Sequence, residues 1–442
     1  MNVATTGGVA AEDVTAQEGQ ASQSVFHPRN LLMIGVLFIT ALVTLLILQV
    51  VIGISPLGIS GAPHFVLQAE SFLQGRWDLM LSRPIHDTIQ LHGRYYIVYP
   101  PFPALVMLPF VAIFGGATSD IFITTVVAAL NLPLFYTLLE QARANGLTRR
   151  SPRENLIISL FLYFGSINLY LSLGGEVWFT AQIVGFTCTL AALLLAFRRH
   201  FGWGAALMGC AFFSRGTLGL GFPLMLYLAW QDGGTGTGLQ RFAVSLWRRA
   251  PAWRAIPWAR LLPPLAVFVG VVGLFLLRDA LIFGTPFESG YGLMNQQNYP
   301  EIKDGLYSLH YVYRNVVAMF FDFPRISFSD ALALNPVIDL IGDGQGMSVF
   351  VTTPLFLFLF ARNRRISPLR IALLVTIALC VIQALLFCAT GWYQFGARYL
   401  FDAYPFAFLL LALNERRIDW RFVALGVFGI GINLVGAGQF WR

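Results

Sequence analysis

The sequence predicts an all-α polytopic membrane protein, and three observations carry that prediction. Of 442 residues, 57% are hydrophobic and only 12% are charged, against about 25% charged in soluble domains. The mean hydropathy is +0.67. The apolar residues gather into runs near the ~20 residues that span a bilayer, and arginines cluster between some of these runs and not others.

Taken in order, residues 1–30 form a tail rich in Ala, Gly, Thr, Gln and Ser without apolar periodicity, read as disordered. Residues 31–442 form the membrane domain. Candidate spans cover residues 31–54, 118–140, 154–173, 178–197, 202–214, 216–231, 262–283, 347–361, 368–389, 396–413 and 420–438, about eleven in all. Five arginine clusters separate them, at 143–153, 198–200, 241–260, 362–370 and 416–421. Basic loops stay cytoplasmic. One arrangement puts all five on that side: a cytoplasmic amino terminus, external loops at 55–117 and 284–346, and an external carboxyl terminus. It requires that the apolar run 102–115, short and holding prolines, lie at the interface or re-enter without crossing.

Composition also sets bounds on function. The net charge of +7 is accounted for by these cytoplasmic loops, and no basic stripe outside them speaks for nucleic acid. The four cysteines, Cys188, Cys210, Cys380 and Cys388, lie in apolar segments without metal-ligand spacing. No internal repeat is evident, which speaks against an inverted-repeat transporter.

Polar residues that could carry chemistry concentrate at the external face. The stretch PHFVLQAESFLQGR has helical apolar spacing and would turn His64 and Glu70 toward water. Further along the first loop, Asp87 stands among His86, His92, Arg94, Tyr95, Tyr96 and Tyr99, a mixture that suits a sugar or phosphate site. Tyrosines at this level also serve as interfacial anchors. Glu176 sits in a short external turn between two spans, where an ionisable group is expensive and usually functional. With an acid from the first loop such as Asp87, it could hold a divalent ion (Mg or Mn) or an acceptor group through oxygen ligands. Arg215 stands between two short apolar helices, without an acidic neighbour in sequence. It is placed to meet a lipid-linked phosphate. Arg278 and Asp279 are adjacent and read as a pair. Arg398 and Asp402, at i and i+4, are also spaced to pair on a helix.

The ordered segments PHFVLQAESFLQGR, HGRYYIVYPPFPALVMLPFVAIFG, GGEVWFTAQ, FFSRGTLGLGFPLML, RDALIFGTPFESGY and GWYQFGARYLFDAYPF resemble the bacterial members of the GT-C superfamily of membrane glycosyltransferases. That group includes protein O-mannosyltransferases and the aminoarabinose transferase of lipid A. The resemblance implies a GT-C-type helical bundle with juxtamembrane helices in the first external loop, in the bacterial cytoplasmic (inner) membrane. It implies a polyprenyl-phosphate sugar donor, and a glycan, lipid or protein acceptor. An acid of the first loop would be the general base, Arg215 would read the carrier phosphate with help from Arg398, and Arg94 and Tyr95 would line the donor site. Glu176 would match a second acid used for acceptor or metal. The chain departs from the pattern where relatives carry the base: those positions are Gly61 and Ala62. Asp87, Glu70, Asp78 and His64 are the available replacements, with Asp87 first. Two other readings stay open, a flippase or transporter of a lipid-linked saccharide and an inactive homologue.

Overall fold

The computed structural model describes residues 28–232, 256–288, 290–300, 302–328, 336–341, 344–360, 367–391, 393–414 and 416–441. The tail before residue 28, Arg241, Arg248, Arg249, Arg254, Arg362, Arg364, Arg365 and Trp392 lie outside them.

The protein is a helical, multi-pass membrane protein. Among the described residues, six helices are long and apolar enough to cross a bilayer: Leu31–Ile52, Asp120–Ala144, Val177–Phe197, Trp258–Phe283, Pro368–Leu386 and Trp420–Phe440. The other five predicted spans are also helical, but short or broken. Pro152–Phe164 is followed by the single turn Asn168–Leu171, and Phe201–Phe212 stands alone. In Gly216–Trp230, 347–361 and 396–413 a 3₁₀ stretch adjoins an α-helix. The sequence window sees only apolar length, and these segments have that length without one continuous helical ladder.

The central element is Val177–Phe197. It is apolar all round, as a helix buried on every side must be, and 83% of its best apolar window is buried, against 11% for Trp258–Phe283. The latter turns Leu262, Val269, Leu274, Leu277 and Leu281 outward, the face expected to meet lipid. Gln49 crosslinks the first span to the bundle, its Nε2 donating to Thr125 Oγ1 at 2.8 Å and to the Leu173 carbonyl at 2.9 Å.

Among the described residues, Arg150, Arg198, Arg199, Arg260 and Arg370, from four of the arginine clusters, lie at one end of the bundle. Arg198 Nε donates to Gln141 and Asn145 donates to the Phe197 carbonyl. Arg150 donates to the Ala412 carbonyl and Arg370 to that of Leu413. Asp232 joins Arg199 to Arg260. The two long loops meet at the other end: Gln297 donates to the Gln90 carbonyl and Asn298 to that of Thr88.

The run 102–115 is the helix Phe102–Phe114, with Pro109 inside. Its 13 residues rise about 20 Å, short of a ~30 Å hydrocarbon core, and it packs against His64–Leu73. Two small antiparallel hairpins were not legible in the sequence, Thr88–Leu91 with Arg94–Ile97 and Arg325–Phe328 with Pro336–Asp339.

Candidate functional site

The loop end of the bundle brings four sequence-distant segments around the first turn of Val177–Phe197. Asp87 is the first tie. Its Oδ2 accepts from Tyr99 Oη at 2.6 Å and from Trp178 Nε1 at 2.9 Å, and its Oδ1 accepts from Tyr299 Oη at 2.7 Å. The side chain is 6% exposed and has φ of +59°. Burial pushes its pKa up, but the hydroxyls of Tyr99 and Tyr299, His86 and the Trp178 indole outweigh it, and the carboxyl stays below its ordinary value. A carboxylate so occupied is a clasp between the two loops and the central helix, and a poor proton acceptor.

Glu176 has the opposite character. It precedes Val177 at the helix start and is half-buried. Its Oε2 is buried without a hydrogen-bond partner among the described residues. Burial raises its pKa to about 7; the nearby Asp120 carboxylate pushes the same way, and the backbone of Gly61 and Gly175 pulls against it. Asp120 is held in place by Ser60, whose N–H reaches Oδ1 at 2.8 Å and whose Oγ reaches Oδ2 at 2.5 Å. The Val177 N–H donates to the Ala62 carbonyl at 3.1 Å. Glu176 thus stands against the Gly61–Ala62 segment, far from it in sequence.

The glycines of GGE make this approach possible. A Cβ on Gly175 would lie 2.5 Å from Ile121 N and 2.8 Å from Asp120 Cγ, and one on Gly174 would overlap Glu176 Oε2 and the Trp441 ring.

Arg398 is 7% exposed. Its Nε donates to the Gly391 carbonyl at 3.0 Å, and its guanidinium lies 5.9 Å from the Trp178 ring and 5.8 Å from that of Phe179. Among the described residues no carboxylate pairs with it. The expected pairing with Asp402 is not formed. Residues Arg398–Ala403 are a 3₁₀-helix, and at about 3.0 residues per turn positions i and i+4 point about 120° apart. Asp402 instead takes Arg215, at 2.7 Å, and Thr217. Arg215, without an acidic neighbour in sequence, thus has one in space, and its charge is already balanced. Arg278 and Asp279 do pair, at 2.8 Å.

The remaining predicted residues take other places. His64 does not face water: it is 1% exposed, with Nε2 2.6 Å from the His86 carbonyl, because its side of the helix packs inward with Phe65 and Gln68. Glu70 is half-buried and lies over Gly116. Asp78 pairs with Arg76, which holds its carboxyl below the ordinary value. Arg94 stands on the hairpin, largely exposed and 3.7 Å from Asp78, and Tyr95 accepts from the Leu79 N–H through its carbonyl. No contact among the described residues joins either to Arg215 or Arg398.

Asp120, Ser60 and Tyr299 were missed by the sequence reading. Asp120 carried the same signal as Glu176, an acid heading an apolar span. A divalent ion between Glu176 and Asp87 does not fit the donor set. The Asp87 oxygens are taken by a tryptophan N–H and two tyrosine hydroxyls, and among the described residues no three His, Cys, Asp or Glu side chains converge.

No family model and no curated protein matches the chain. Two solved structures are similar to it. One is ArnT from Cupriavidus metallidurans bound to undecaprenyl phosphate, at 16% identity and TM-score 0.48, covering 90% of this chain and 62% of that one. The other is the Archaeoglobus fulgidus oligosaccharyltransferase in the apo form, at 14% identity and TM-score 0.46, covering 92% and 56%. The chain thus spans about three fifths of their length. At such values neither transfers a substrate or a residue's role to this chain.

Proposed function

We propose that this protein is a membrane glycosyltransferase. It moves a sugar from a polyprenyl-phosphate carrier to a cell-envelope acceptor at the outer face of a bacterial cytoplasmic membrane. The observation that carries the reading is the buried Arg398 guanidinium, without a paired carboxylate among the described residues, set against the helix turn that Glu176 opens. A buried cation without a counter-ion is costly and favours an anion, and the guanidinium fork suits phosphate. Glu176, which opens the same helix, has a carboxyl group whose pKa burial raises to about 7, and that value suits general-base work near neutrality.

In the reaction, Glu176 takes the proton from an acceptor hydroxyl. That oxygen forms a bond to the anomeric carbon from the face opposite the carrier, and the bond between that carbon and the phosphate oxygen breaks. The electron pair leaves with the carrier phosphate, whose negative charge Arg398 stabilises. The configuration inverts. The arginines gathered at the far end of the bundle support the outward orientation of this site, since basic loops stay cytoplasmic.

The test is incubation of the purified full chain with a panel of polyprenyl-phosphate sugars, assayed for release of carrier phosphate. Turnover that Glu176→Gln abolishes is the expected result. Absence of turnover with every donor would overturn the reading.

A further inference from the structure

At the end of the bundle opposite Glu176 lies a cavity of about 420 Å³, lined by Arg199, His200, Trp203, Asp232, Arg260 and Pro263 among others. Neither the proposed reaction nor the packing of the bundle uses it. Arg199 Nε and Arg260 Nη1 approach the same oxygen, Asp232 Oδ1, at 3.6 and 3.3 Å. Among the described lining residues Asp232 is the one acid beside Arg199, His200 and Arg260, so the lining carries more basic than acidic groups. Both guanidinium side chains remain open to solvent, at 53% and 43% exposure.

The local backbone is shaped to present them. Val177–Phe197 ends in a Schellman motif, with His200 N–H donating to the Leu195 carbonyl at 2.9 Å and Arg199 N–H to that of Ala196 at 3.0 Å. Glycine usually holds the left-handed position of this motif. Here Arg199 holds it, with φ of +66°, and Asp232 is also left-handed at +53°. Non-glycine residues in that region cost stability and gather at functional sites. Trp203, in the lining, is 74% exposed, and Leu262, in sequence between the lining residues Arg260 and Pro263, is 53% exposed; tryptophans at such an end meet lipid headgroups.

We propose that this pocket binds a phosphate group, held by Arg199 and Arg260. Paired guanidiniums match phosphate geometry, and a cavity of this size accommodates a headgroup. The phosphate comes either from an anionic phospholipid, with its chains along Trp203 and Leu262, or from a free phosphate compound.

The test uses the purified full chain in detergent, titrated with phosphatidylglycerol and with phosphatidylcholine and read by native mass spectrometry, with inorganic phosphate as competitor. Phosphatidylglycerol is expected to bind at least tenfold more tightly than phosphatidylcholine. The double variant Arg199→Gln/Arg260→Gln is expected to lose that preference, while Arg416→Gln, which lies over the Phe358 ring, keeps it. Arg199→Gly removes one guanidinium and relieves the left-handed backbone, so weakened binding there at an unchanged melting temperature reports the lost guanidinium. Competition by millimolar inorganic phosphate would make the source a soluble phosphate, and its failure to compete would make it the lipid. Equal binding of the two lipids without competition by phosphate, or unchanged binding in both the double variant and Arg199→Gly, would overturn the proposal.

Discussion

Trp178 donates from its indole nitrogen to the Asp87 carboxylate at 2.9 Å, across 91 residues of chain. This bond fastens the first loop to the central helix, and Tyr299 fastens the second loop to the same carboxylate. A buried acceptor with three donors stabilises by geometry. Removing it takes this acceptor from the hydroxyls of Tyr99 and Tyr299, while the Trp178 indole N–H keeps Tyr99 Oη at 2.7 Å.

Asp87→Ala is therefore expected to destabilise the fold by about 1–3 kcal/mol for the stranded donors. The thermal transition of the purified protein in detergent measures this. Because the Asp87 carboxyl lies below its ordinary value, its contribution is present above the unfolded pKa and is lost as pH falls through the lower, folded one. Acid should thus loosen the wild type, and Asp87→Ala should lack that part of the pH dependence. A variant as stable as the parent but without turnover would return Asp87 to a catalytic role.

Glu176 should set the pH profile of turnover. The carboxylate is the form that accepts a proton, so the rate should rise with pH through an apparent pKa of about 7. Glu176→Gln should cost about 10²–10⁴-fold and remove that limb. The linkage to stability has the opposite sign. The folded pKa lies above the ordinary 4.5, so the folded state binds the extra proton between these values and loses stability as pH rises across them. Glu176→Gln should therefore be more stable than the parent at pH 8, by melting temperature.

Arg215→Ala leaves Asp402 buried and unpaired, which is expected to cost about 3–5 kcal/mol. The double variant Arg215→Met/Asp402→Leu should recover most of that loss, as replacement of a whole buried pair often does. If the single variant is stable and only weakens donor binding, Arg215 contacts the carrier after all.

Gly175→Ala should disturb the site and the fold together, because its Cβ would press on the Asp120 backbone and carboxyl. Overpacking of this kind costs about 1–3 kcal/mol. Gly431→Ala, with nothing near its Cβ, is the comparison that should leave the melting temperature nearly unchanged.

Membrane sidedness can be read by labelling single cysteines placed at Ser82 and Arg149, both exposed, in a chain whose four native cysteines are replaced. Labels from opposite sides are expected. Labels from one side would reverse the topology and with it the outward-facing site.

Apolar length by itself determined the membrane class and the positions of the six long spans, and arginine spacing set the expected sidedness, in which 102–115 does not cross. These properties are additive along the chain: transfer of apolar surface from water and the cost of moving a basic loop across a bilayer need no knowledge of neighbours. The partners were decided only by the tertiary structure. Asp402 turned from Arg398 to Arg215 because a 3₁₀ stretch replaces the assumed α-helix. His64 went inward because its helix packs on Phe102–Phe114. Asp87 became a clasp because its donors come from Trp178 and Tyr299, far away in sequence. Glu176 came to stand beside Asp120 and Gly61 because two glycines let three segments close together. Hydrogen bonding and desolvation act over a few ångströms of space, and residues this far apart in sequence acquire such distances only when the bundle closes.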